Sequence, residues 1–69
     1  MKLVITIYCD NSAFNGNGCG RELARILQIV AGRVDLESKS DLIRGYLDDP
    51  KSLFDINGNT VGSMEIADN

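Results

Sequence analysis

Two cysteines, one acid and a run of asparagines and glycines stand together in Cys9-Asp10-Asn11-Ser12-Ala13-Phe14-Asn15-Gly16-Asn17-Gly18-Cys19-Gly20. Glycines between a strand and a helix leave backbone N–H groups free to hold phosphate. A dinucleotide fingerprint begun at Gly16 needs its third glycine at position 21, where Arg21 stands, and no GxxxxGK[ST] run occurs. Oxygens of Asp10, Asn11, Ser12, Asn15 and Asn17 suit Ca²⁺, yet a calcium loop of the EF-hand kind needs several spaced acids, and this loop has one. Cys19 opens the following helix, whose dipole favours a thiolate. With no His in the chain, that thiol would need a lysine or a carboxylate as its base, and neither cysteine has partners for a zinc site. Cys9 reads as a small buried hydrophobe. Asp48-Asp49, with Asp41 nearby, offer paired carboxylates, but Pro50 and Lys51 place them in an exposed turn where nothing apolar raises a pKa. These residues predict no catalytic centre, no cofactor and no metal. The loop is read as a connection that launches a helix.

The elements that must position these residues follow from periodicity. Residues 2–9 alternate, with Leu3, Ile5, Ile7 and Cys9 on one face and Lys2, Val4, Thr6 and Tyr8 on the other, which predicts a strand. Leu23, Ile26, Leu27, Val30 and Val34 form one stripe of a helix over about 19–33, with Gly32 near its end and Arg21, Arg25 and Gln28 toward solvent. Phe14 is expected to tuck beneath the start of that helix. Ser40 would cap a short helix near 40–48, for which an irregular strand competes. Residues 53–66 read as a hairpin. A three-residue loop with Gly58 left-handed pairs Phe54 with Thr60 and aligns Phe54, Met64 and Ile66 on the core face. The expected fold is one α+β domain over residues 1–69, β-α-β-β, with a three-stranded, mainly antiparallel sheet of order 1-3-2 packed on one main helix.

Charge and size constrain the function class. The chain of 69 residues is 43% hydrophobic and carries a net charge of −3, which disfavours direct binding to nucleic acid. No apolar stretch is long enough to span a membrane, the N-terminus lacks a signal pattern, and two cysteines make no disulfide scaffold, so a cytoplasmic protein is expected. A domain this small has little core. The far face of the sheet, where the alternation puts Val4, Tyr8, Leu53 and Val61, is half apolar, which predicts either a protein partner or a homodimer, unless residues 40–49 fold back over it.

Asp10-Asn11 with Ala13-Phe14, Glu22-Leu23-Ala24-Arg25-Ile26-Leu27, and Asp55 with Asn57-Gly58-Asn59 and Val61-Gly62 together resemble a pattern in small proteins encoded by phages and other mobile elements of bacteria. The resemblance covers about two thirds of the chain and transfers no binding residue. It implies an accessory protein, of a kind that is often an inhibitor of host defence, including anti-CRISPR proteins. The expectation is therefore a non-enzymatic protein-binding module. Asp41, Asp48, Asp49, Asp55 and Glu65, with Asp68, would compete for a basic nucleic-acid channel on the partner, and Val4, Tyr8, Leu53 and Val61 would add apolar contact. A regulatory homodimer is the alternative, and a Cys19-dependent thiol enzyme the third reading.

Overall fold

The computed structural model describes residues 1–68. Its elements are β1 (Lys2–Ile7), two single 3₁₀ turns (Ser12–Phe14 and Gly16–Gly18), α1 (Cys19–Val34), α2 (Lys39–Tyr46), β2 (Lys51–Phe54) and β3 (Thr60–Ala67). The sheet runs β1-β3-β2 with both pairs antiparallel, the expected α+β order. Asn11 starts the first 3₁₀ turn by accepting the Ala13 N–H on its side-chain oxygen at 3.2 Å. That turn drives Phe14 into the core, and the second runs directly into α1. Glu22 in the first turn of α1 and Arg33 in the last complement the helix dipole.

The helix boundaries differ from expectation in two places. Gly32 stays inside α1, and the chain turns instead at Leu36, whose φ is 70°. Ser38, not Ser40, caps α2, its hydroxyl accepting the Asp41 N–H at 3.1 Å. The segment 40–48 is helical to Tyr46. Leu47 then forms a parallel bridge to Ile66, and the Asp48 N–H donates to the Ile66 carbonyl at 3.1 Å. The exit of α2 is therefore stitched to the sheet just before β2 begins.

The hairpin turn has the expected register, but a bulge beside it changes which side chains enter the core. Gly58 is left-handed with φ 84°, the Asp55 N–H donates to the Asn59 carbonyl at 2.9 Å, and Phe54 pairs with Thr60. One step further Leu53 pairs with Gly62, not Val61, so two residues of β2 face three of β3. A shift of one residue exchanges the faces of a strand. Leu53 joins Met64 on the helix side and is 1% exposed, while Phe54 turns outward at 46%. Val61, the extra residue, is buried too. The placement of Leu53 and Val61 on the far face and of Phe54 in the core is corrected accordingly.

Phe14, Ile26, Val30, Leu53, Val61 and Met64 make up the core, flanked by half-buried Ile5, Ile7, Leu23, Val34 and Tyr46. The inward row of α1 is Glu22, Ile26 and Val30, which rolls Leu27 out to 46% exposure although the stripe had placed it inside. Tyr46 of α2 packs against this same core. On the other face of the sheet Val4, Thr6, Ser63 and Glu65 are half-buried, and none of that row is buried.

Candidate functional site

The charged side chains that leave the surface do so at one place, between the N-terminal half of α1 and the hairpin. Glu22 is 6% exposed and Asp55 is 4% exposed. Glu22 accepts Arg25 Nε on Oε1 at 2.7 Å, and on Oε2 it accepts Arg25 Nη2 at 3.1 Å and the Ile56 N–H at 2.8 Å. Asp55 accepts the Asn57 and Asn59 N–H groups on Oδ1, each at 2.9 Å, and the side-chain amides of Asn11 and Asn59 on Oδ2 at 2.6 and 3.2 Å. Among the described residues no buried side-chain oxygen or nitrogen lacks a partner.

The electrostatics follow from these partners. The Arg25 bond, aided by the Ile56 N–H, outweighs burial and holds the Glu22 carboxyl below its ordinary range, and Glu22 in return raises the Arg25 guanidinium. Burial alone would lift the Asp55 carboxyl, but the donors from Asn59, Asn11 and Asn57 more than offset it and the net shift is downward. Both groups are carboxylates at neutral pH, fully engaged as acceptors. An open groove of about 420 Å³ lies over this cluster, lined by Ala13, Arg21, Glu22, Arg25, Gln28 and Ile56.

The same cluster closes one edge of the sheet. Arg25 Nη2 also donates to the Phe54 carbonyl at 3.1 Å, and Arg33 Nη1 donates to the Ser52 carbonyl at 3.4 Å. With Glu22 on the Ile56 N–H, side chains of α1 engage one outward backbone group at each of 52, 54 and 56, the carbonyl at the first two and the N–H at the third, every second residue along β2 and its turn. An edge strand with such groups bare is a template for another chain. Here α1 packs on the face of the sheet, and three of its side chains reach the edge where a further strand would pair. The spacing of α1 alone predicts Arg25 in solvent, whereas it bonds Glu22 and the Phe54 carbonyl. The i,i+3 pair Glu22–Arg25 was its only local signal, because the backbone it serves is about thirty residues away.

The residues named for a partner surface fall into separate groups. Val4 and Tyr8 stay on the open face, Tyr8 being 67% exposed. Leu53 and Val61 are interior, and Asp55 belongs to the hairpin turn, so these three are withdrawn from any contact surface. Glu65 lies on the open face opposite Val4. Asp41, Asp48 and Asp49 are exposed at α2 and its exit, with Asp41 paired to Arg44 at 3.4 Å and Asp49 to Lys51 at 2.8 Å. Exposed pairs of this kind are worth little.

Cys9 and Cys19 are free, half-buried neighbours against the core. Burial, then the adjacent Cys19 and Asp10, push the Cys9 thiol up. Among the described residues no three of His, Cys, Asp and Glu converge on a metal position, and no helix is long and apolar enough to cross a membrane. Compared with models of protein families, with curated proteins and with solved structures, the chain matches none of them.

Proposed function

We propose that the protein is a non-enzymatic binding module that presents an acidic surface to a basic protein partner. One observation carries this reading. Residues 35–50 hold Asp35, Glu37, Asp41, Asp48 and Asp49 against Lys39 and Arg44, a net −3 that Lys51, paired to Asp49, reduces to −2, and all eight side chains are exposed. Leu36 stands among them, 98% exposed at a left-handed turn. A localised field of one sign speeds encounter with an oppositely charged surface and orients it, and a protruding apolar side chain adds contact once the surfaces meet. In the setting that the mobile-element resemblance implies, the partner is a bacterial nucleic-acid-handling complex whose basic channel this segment occupies.

The test compares the tagged protein with the variant D41N/D48N/D49N in capture from bacterial lysate at low and raised salt. Asparagine tolerates the left-handed backbone at position 48 (φ 53°), so the variant keeps the fold. The reading expects a basic partner that the variant retains at least tenfold less and that salt releases. Equal capture by both proteins, unaffected by salt, would contradict it.

A further inference from the structure

The two edges of the sheet are treated differently. On the β2 side α1 presents Arg25, Arg33 and Glu22 to the backbone, as described above. Successive helix residues turn by about 100°, so Leu27 lies about 200° on from Arg25 and Leu23 about 200° back from it, about 40° apart, which puts both on the β1 side of the helix. There α1 offers apolar side chains and no capping group. Among the described residues, the one side-chain contact with an outward backbone group of β1 is the Cys9 thiol, 3.7 Å from the Ile7 carbonyl.

The parity of β1 is fixed by its pairing. The Tyr8 N–H donates to the Val61 carbonyl at 2.7 Å, so even-numbered residues direct their backbone groups to β3 and Leu3, Ile5 and Ile7 direct theirs outward. The strand has no proline, no bulge and one charge, Lys2 at its start, so it carries few of the devices that protect an edge.

We propose that β1 is a strand-addition edge whose occupant is a second copy of this chain, paired antiparallel about a two-fold axis through Ile5. Residues opposite one another must share a face, which allows only registers whose paired numbers sum to an even value. The register centred on Ile5 sets Ile5 against Ile5, Leu3 against Ile7, Val4 against Thr6 and Lys2 against Tyr8. It pairs all three outward residues in each copy and stacks apolar with apolar on the helix side. The two Lys2 side chains fall at opposite ends of the seam, about 20 Å apart along six residues of strand. The product is a six-stranded antiparallel sheet with both α1 helices on one face and Leu27 of each copy leaning toward the seam. Both outer edges of that sheet are β2 strands whose outward carbonyls at Ser52 and Phe54 are already engaged by Arg33 and Arg25, which disfavours growth beyond two. Its surface is distinct from the acidic segment, and either reading can fail without the other.

Sedimentation over a dilution series tests it, with the secondary structure of each variant checked by circular dichroism. Ile5→Pro removes an outward N–H and spares the ladder to β3. Val4→Lys places a charge at the seam from the open face and leaves the core alone. The inference expects a monomer–dimer equilibrium in the wild type, weakened at least tenfold by each variant that folds. A wild type that stays monomeric at every concentration overturns it, and so does a dimer that Val4→Lys leaves unchanged. Should Ile5→Pro unfold, the Val4→Lys result stands alone and decides.

Discussion

Asp55 turns a tight loop into a buried anchor. It takes donors from two turn amides, from Asn59 and from Asn11 across the molecule, and Glu22 does similar work for Ile56. Both carboxyls titrate lower in the folded chain than in the unfolded one, whose ordinary values are 3.8 for Asp and 4.5 for Glu. In acid the unfolded state therefore binds the extra protons, and stability that is intact above 4.5 is lost as pH falls through and below these values. Thermal unfolding at a series of pH values should show this loss. Asp55→Asn should lower the melting temperature at neutral pH and flatten the acid dependence, and an unchanged slope would assign the effect elsewhere. Cys9 gives a second residue-scale expectation: its raised thiol should alkylate more slowly in the native protein than in an unfolded control peptide.

At the level of elements, Gly62 and the bulge beside it decide the core. A Cβ on Gly62 would lie 1.8 Å from the Thr6 carbonyl oxygen. Gly62→Ala must therefore push β1 from β3, with a loss of at least about 1–3 kcal/mol by denaturant unfolding. Leu53→Ala should cost about 2–5 kcal/mol, whereas Phe54→Ala should cost well under that because its ring is half in solvent. Equal losses at 53 and 54 would place the bulge wrongly. Much of this fold was legible in the sequence: the alternation of β1, the α1 stripe and the left-handed Gly58 follow from local chemistry, and the 1-3-2 order from letting the helix return the chain so that the last strand enters between the other two. The faces of β2 were not, since nothing between Leu53 and Met64 marks an inserted residue except Gly62, and its meaning depends on the approach of β1. The edge-capping role of Arg25 and Arg33 was hidden for a similar reason, because a helix shows its own spacing but not the distant carbonyls it will meet.

The molecule as a whole is a thin body, 39 × 20 × 19 Å, two layers deep. Its accessible surface is 4595 Å², against about 4,250 Å² for a typical folded monomer of this mass. The two values are close, as suits a slightly elongated small domain, and the chain is proposed to use two of its open surfaces for contacts. Two such surfaces stand apart: the acidic segment 35–50, and the β1 edge with Leu3 and Leu27 beside it. The sheet is sealed by α1 on one side only, and that asymmetry is the central feature of the fold. Amide hydrogen exchange along β1 at low and high protein concentration tests it most directly. The amides of Val4, Thr6 and Tyr8, bonded to β3, should be protected at both concentrations, while those of Leu3, Ile5 and Ile7 should exchange fast in dilute solution and slow together as concentration rises. Exchange at Leu3, Ile5 and Ile7 that is independent of concentration would contradict the account.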